Sequence, residues 1–330
     1  MNVLYTCDNN YVWLMGISTI SLFENNKHID DLKVYLLGGN ISVENKDLLY
    51  DIAQKYGREI IIIDVPELDI PPSLLSARWP LSAFTRLFSG VLLPNNLHKV
   101  LYLDCDTIIA GDIAELQNID FENNVIMGIK DCISGTYKEN IGLDRNDPYY
   151  NAGVLLIDLD RLRDVDINRE IEEYMHKYVK FINYADQDIL NGMFRGRIGV
   201  LEPKYDVMTI DVVYSYKEII KLRRPTNFYS EAELKTAVNN PAIIHYTTNM
   251  LVVRPWFSNS DHPLKKEFIK YKKYSVWNDT ELKEMQFSSK ESRTIALISG
   301  LPKVISYQLL GIIHSELKPW FIRMKAKRIK

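Results

Sequence analysis

An α/β fold, a mostly parallel central sheet flanked by helices, is predicted by two observations. Short apolar runs recur at 2–6, 32–37, 59–65, 100–103, 125–129 and 153–159, and strands covered on both faces read as such near-continuous runs. Between them, 13–25, 43–56 and 80–93 carry the apolar spacing of amphipathic helices, and strands alternating with helices make βα units. A chain of 330 residues has room for one large domain of this kind or two ordinary ones.

Each element has its own signal. The first run ends in Cys7 and Asp8, and the helix at 43–56 follows Ser42, a favoured N-cap residue. The run at 100–103 leads into Asp104-Cys105-Asp106-Thr107, and that at 125–129 into Asp131. Tyr149-Tyr150-Asn151-Ala152-Gly153 is a small, polar entrance to the run at 153–159, as suits a tight turn. Asp186, Gln187 and Asp188 open a further helix, where Asp186 reads equally as an N-cap or as a group presented to a polyhydroxylated ligand. A last apolar run, 241–244, ends in His245, and Arg254-Pro255-Trp256 follow as a source of a phosphate-binding guanidinium.

Asp104 and Asp106 carry the clearest chemistry. Successive strand residues face opposite ways, but where the strand breaks into a loop both carboxylates can converge on one ion. Hard oxygen ligands suit Mg²⁺ or Mn²⁺, and an added imidazole from His245 suits Mn²⁺. In such sheets ligands bind outside the carboxyl ends of the strands. Asp8, Asp104, Asp106 and Asp131 each follow a strand end, and their mutual repulsion calls for a cation.

Composition narrows the function further. A content of 46% hydrophobic and 25% charged residues is that of a globular protein, and a net charge of −3 argues against a general nucleic-acid binder. The charge is uneven: residues 281–330 hold ten Lys/Arg against four Asp/Glu, a net of +6, which leaves −9 on residues 1–280. A basic tail on an acidic body suggests an anionic surface as partner. Three cysteines without metal-ligand spacing read as reduced thiols in a cytosolic protein. The start has no signal-peptide pattern, and neither G-x-G-x-x-G after the first strand nor a P-loop occurs, which disfavours dinucleotide oxidoreductases and P-loop kinases.

These segments together resemble glycosyltransferase family 8, the retaining GT-A enzymes that include bacterial lipopolysaccharide galactosyl- and glucosyltransferases and glycogenin-like proteins. The resemblance covers about residues 1–258. It rests on 6–11, 82–87, 103–106, 150–154, 185–188 and His245-Tyr246 with Arg254-Pro255-Trp256, in the family's order. It implies a GT-A, Rossmann-like catalytic domain at 1–258, a connecting segment at 259–280 and a basic, aromatic helical tail at 281–330.

The resemblance also implies roles. Asp104, Asp106 and His245 would bind Mn²⁺, with Mg²⁺ as the other choice. Asp8, Asn10 and Tyr11 would contact uridine, with Cys105 among the nucleotide-binding residues. Arg86, Asp131, Asn151, Asp186 and Gln187 would surround the donor sugar, Gln187 near the anomeric face opposite the leaving group. The family's His-x-x-Gly-x-x-Lys-Pro-Trp run is three residues longer here, with Thr248 at the glycine position and Arg254 in place of the lysine. The implied activity is transfer of glucose or galactose from a UDP-sugar to a glycan, glycolipid or glycoprotein. A carboxamide is a feeble nucleophile, so front-face attack is expected at Gln187, with Asp186 as the rival nucleophile. The expected location is cytoplasmic, with residues 281–330 set against the anionic inner face of the cytoplasmic membrane.

Two other functions fit parts of the sequence. Asp104-Cys105-Asp106-Thr107 also matches the Asp-x-Asp-x-Thr nucleophile motif of haloacid-dehalogenase-type phosphatases, although about a hundred residues of βα pattern precede it. A non-catalytic sugar-binding scaffold would keep the fold without turnover.

Overall fold

The computed structural model describes residues 1–65, 81–249, 251–288 and 302–327. Its main sheet has seven strands: β1 Asn2–Asp8, β2 Lys33–Gly39, β3 Glu59–Asp64, β4 Lys99–Leu103, β6 Ile126–Lys130, β7 Tyr150–Asp158 and β8 Ile198–Val200. They lie in the order β3-β2-β1-β4-β7-β6-β8. Side chains alternate between its two faces, as the two-residue period of a strand requires. Val3, Tyr5, Leu101, Leu103, Val154 and Leu156 pack on one side with the helix Val12–Asn25. Leu4, Val100, Tyr102, Leu155 and Ile157 pack on the other.

The strand order turns back between β1 and β4, which makes that gap the switch point where α/β sheets bind ligands. Asp8 ends β1 and Asp104 follows β4, so the two flank it. One strand departs from the parallel expectation: β7 runs antiparallel to both β4 and β6. Its entrance, Tyr150 to Gly153, therefore lies at the same edge as the exits of β4 and β6.

A second, three-stranded sheet brings the distant histidine to the acidic edge. β10, Ile243–His245, pairs antiparallel with β5, Thr107–Ile109, and parallel with β9, Val207–Met208. In this register His245 lies opposite Thr107, one residue past Asp106, and the Tyr246 N–H donates to the Asp106 carbonyl at 2.9 Å.

Ser42 caps the helix Val43–Lys55 as expected, accepting the Asn45 N–H. The continuous helix expected over 80–93 is instead broken into Leu81–Phe84, a 3₁₀ turn Thr85–Phe88 and Ser89–Leu92; Pro80 lies outside the described residues. The tighter turn places Arg86 at the sheet edge, and short 3₁₀ interruptions of this kind recur at functional sites.

The tail forms the helix Lys303–Ile312, a π-helical turn Ile313–Leu317 and the helix Lys318–Lys327; the rest of the expected 281–330 tail is only partly described. It lies against the body. The Ser315 hydroxyl donates to the Arg223 carbonyl at 2.8 Å, at the end of the helix Tyr216–Arg223, and the Ser134 hydroxyl donates to the Ser315 carbonyl at 2.7 Å. Asn140 donates to the Pro319 carbonyl, and Arg323 pairs with Glu139 at 3.1 Å.

Candidate active site

Asp104, Asp106 and His245 converge, with one ligand atom of each lying within 4.8 Å of the others. His245 Nε2 is 3.2 Å from Asp106 Oδ1 and 3.7 Å from Asp104 Oδ2. On the ring's other side Nδ1 lies 2.9 Å from buried Asp206 Oδ1. A carboxylate on one imidazole nitrogen sets the other toward a metal.

The electrostatics match a cation site. Burial acts to lower the His245 pKa, but Asp206 and Asp106 outweigh it and hold the ring well above its usual value. Burial likewise opposes the charge on Asp106, yet His245 and Arg254 bring its carboxyl below the ordinary range. The proton held on His245 stands where a metal would, since metal binding displaces ligand protons. Space is reserved as well: a Cβ at Gly153 would fall 2.9 Å from Asp104 Oδ2 and 2.8 Å from His245 Nδ1. Two carboxylates, one imidazole held from behind by Asp206 and a backbone without a side chain at Gly153 fit a divalent ion.

Arg86 joins this cluster to a second one. Its Nη2 lies 3.0 Å from Asp104 Oδ1, which also accepts the Tyr102 hydroxyl at 2.6 Å. Its Nε lies 3.0 Å from Asp186 Oδ2, a Coulombic contact out of line for a hydrogen bond, and its Nη1 donates to the Ala152 carbonyl. Burial pushes the Asp186 carboxyl up to about 6 against the pull of Arg86. The N-cap reading of Asp186 is not what the structure shows: Asp188 accepts the N–H groups of Asn183 and Tyr184 and the hydroxyls of Tyr137 and Tyr149. Asp186 is thereby left to Arg86.

Gln187 is held at both ends of its carboxamide, its oxygen accepting the Ala152 N–H and its nitrogen donating to Asp131 Oδ2, each at 3.1 Å. Asn151 accepts the Gly153 N–H at 2.7 Å. Ala185, just before, has φ of +48°, a strained left-handed backbone for a residue with a side chain.

The residues expected to contact the nucleotide lie at the β1 exit. Asp8 Oδ1 accepts the Asn10 N–H at 2.8 Å, and Tyr11 is exposed at the start of the first helix. Cys105 is buried, its thiol directed at the Thr6 carbonyl 3.6 Å away, so only its backbone faces the edge. In the lengthened loop Arg254 contacts Thr248, stacks over Trp256 and lies 3.7 Å from Asp106 Oδ2. Sequence reasoning missed Asp206, which no motif marks, and the role of Gly153, which it read as a turn.

Known proteins resolve the ambiguity between transferase and phosphatase. The model of "Glycosyl transferase family 8" matches residues 2–260. The chain belongs to glycosyl transferase family 8. Among its relatives, the chain is 24% identical over 281 residues to general stress protein A of Bacillus subtilis, covering 84% of this chain and 95% of that one. It is 26% identical over 286 residues to the lipopolysaccharide 1,2-glucosyltransferase of Escherichia coli K12, covering 84% and 79%. In fold it matches the galactosyltransferase LgtC, solved with donor and acceptor sugar analogues, with a TM-score of 0.70 at 22% identity over 89% of this chain and 99% of that one. The phosphatase reading of Asp104 falls with this family assignment, and Asp104 lies after the fourth strand, bound by Tyr102 and Arg86.

Proposed function

We propose that this family 8 protein is a retaining hexosyltransferase that moves glucose or galactose from a UDP-sugar to a glycan, glycolipid or glycoprotein acceptor with Mn²⁺. The convergence of Asp104, Asp106 and His245, backed by Asp206, carries the reading. Asp104, Asp106 and His245 would hold the ion, whose charge stabilises the departing diphosphate without a proton. The nitrogen ligand favours Mn²⁺ over Mg²⁺. Asp8, Asn10 and Tyr11 take the uridine, and Arg254 with Thr248 reaches toward the diphosphate.

Around the sugar, Asn151, Asp131, Asp186 and Arg86 supply acceptors and a fixed cation for its hydroxyls. Gln187 has its carboxamide oxygen tied to the Ala152 N–H and Asp186 has its carboxylate against Arg86. Neither is a free nucleophile, which favours front-face attack, with the leaving phosphate taking the acceptor's proton. Hydrolysis of UDP-glucose and UDP-galactose, with and without Mn²⁺, tests the reading: wild type turns over one donor with metal and Asp106→Asn does not. Absence of metal-dependent turnover of either donor by wild type leaves the scaffold reading.

The tail supports a place at a membrane surface. Among the described residues no helix is long and apolar enough to cross a membrane. Ile305, Leu309, Ile313, Leu317, Trp320 and Phe321 are nevertheless exposed, at the spacing of one helical face. Lys318 and Lys325 accompany them, a mixture that suits an anionic interface. Co-sedimentation with phosphatidylglycerol vesicles, lost in a Leu309→Asp, Trp320→Asp variant, is the expected result; equal sedimentation of both refutes it.

A further inference from the structure

A small cavity of about 50 Å³ opens where the tail meets the body, lined by Cys132, Tyr184, Arg223, His314 and Lys318 among others. It adjoins the catalytic cluster. The Cys132 N–H donates to Asp131 Oδ1 at 2.7 Å while Asp131 Oδ2 accepts from Gln187, so Asp131 links that wall to Gln187. Tyr184 immediately precedes the helix Ala185–Met193 that carries Asp186 and Gln187.

The cavity's charge is one-sided. Arg223, His314 and Lys318 bring three basic side chains to it, and among the described residues none of them has a hydrogen bond or an ion pair. The acidic groups near them are already engaged: Asp131 by Cys132 and Gln187, Asp188 by two tyrosines, Glu316 by the Thr136 hydroxyl. Burial and then the neighbouring Lys318 and Arg223 lower the His314 pKa, as expected where cations gather without a counter-charge. Arg223 is partly buried, and a buried guanidinium without an acceptor is costly.

The tail builds this arrangement deliberately in its geometry. The hydroxyl of Ser315 fastens the π-helical turn to the carbonyl of Arg223, and Ser134 fastens it from the other side. His314 and Lys318, at either end of that turn, are thereby brought beside Arg223. Single π turns in helices are frequent at functional sites.

We propose that this cavity is an acceptor subsite for an oxyanion, a phosphate monoester or carboxylate borne by the acceptor sugar, and that the C-terminal helices thereby select the acceptor. The inference rests on the glycosyl-transfer reading. Arg223 provides the planar fork that suits either oxyanion, with Lys318 as a point charge beside it. The cavity has room for one such group, and the sugar carrying it would present a hydroxyl toward Gln187.

Titration calorimetry of the full chain with UDP and Mn²⁺ present, using glucose 6-phosphate, glucuronate and glucose, tests the subsite. One or both anionic sugars bind at least tenfold tighter than glucose, and Arg223→Gln and Lys318→Gln each reduce that preference at least fivefold. Preference for glucose 6-phosphate assigns a phosphate, preference for glucuronate a carboxylate. Lys318 is exposed, so its variant tests the idea even if Arg223→Gln melts early. Equal binding of all three sugars by wild type, or an unchanged preference in Lys318→Gln, overturns the subsite. If wild type meanwhile turns over the UDP-sugar, the subsite alone falls; without donor turnover the transferase reading falls too.

Discussion

Replacing Gly153 by alanine asks the candidate metal site to admit one methyl group. The added Cβ would lie 2.8 Å from His245 Nδ1 and 2.9 Å from Asp104 Oδ2, and closer still to His245 Cε1, where ordinary contact begins at 3.4 Å. The imidazole must therefore retreat by at least about 0.6 Å, well beyond the ~0.2 Å tolerance of metal–ligand distances. Retreat is obstructed. Asp206 holds Nδ1, and β10 is fixed between β5 and β9. Asp104 is equally pinned, by Tyr102 and Arg86.

Misplacing two of three ligands should weaken divalent-metal affinity by about 10- to 100-fold, the range seen when outer-shell supports are lost, or roughly 1.4 to 2.8 kcal/mol. Electron paramagnetic resonance of free Mn²⁺ during titration measures this directly, and donor hydrolysis at saturating Mn²⁺ measures the catalytic loss. The chain itself should stay folded, because the displaced groups lie at the sheet edge. Wild-type Mn²⁺ affinity in Gly153→Ala would show that His245 and Asp104 do not bind the ion together.

Three further outcomes are expected. Asp206→Asn keeps an acceptor for His245 Nδ1 but removes its charge, so Mn²⁺ affinity should drop about tenfold with little change in fold, read by the same titration. Arg86→Lys puts one ammonium where a guanidinium meets Asp104, Asp186 and the Ala152 carbonyl; turnover should fall at least about a hundredfold, and near-normal steady-state rates would contradict the bridging role. Asp211 is buried with one oxygen lacking a partner, and burial pushes its carboxyl up to about 8. Its folded pKa exceeds the unfolded value, so its contribution is full below about pH 4 and is lost as pH rises toward 8. Asp211→Asn should therefore melt higher than wild type at pH 8, by on the order of 5 kcal/mol at most, with the gap closing toward pH 5 in thermal melts.

The long strands were legible because each is a continuous apolar run, and the acidic residues at β1, β4 and β6 could be assigned to one edge from that alone. Strand direction was not legible: β7 has the same composition whichever way it runs, and only its pairing with β4 and β6 brings Asn151 to Gly153 to the site. β5, β8 and β9 have three residues or fewer, too short to show a period, whereas β10 showed itself as the apolar run that ends in His245. Asp206 matters only through the register of β9 on β10, a long-range pairing that no local pattern encodes. The break at Thr85–Phe88 was hidden for a related reason. Its apolar spacing suits a helix, but Arg86 is drawn to carboxylates brought in by β4 and the helix Ala185–Met193.

Charge balance ties these parts into one device. Asp104, Asp106, Asp131, Asp186 and Asp206 bring five carboxylates, against Arg86, Arg254 and a protonated His245. The cluster is thus two charges short of neutral, and a diphosphate entering it would add to the deficit. A divalent ion held in place of the proton on His245 would bring the cluster to one negative charge and so lessen the repulsion that a diphosphate meets. Arg86 neutralises Asp186 and one oxygen of Asp104, which leaves Asp104 Oδ2 turned toward His245. Donor binding should therefore depend on prior metal binding: UDP affinity should be weak in chelator and rise with added Mn²⁺, while equal affinity in both conditions would mean that the carboxylates are neutralised in some other way.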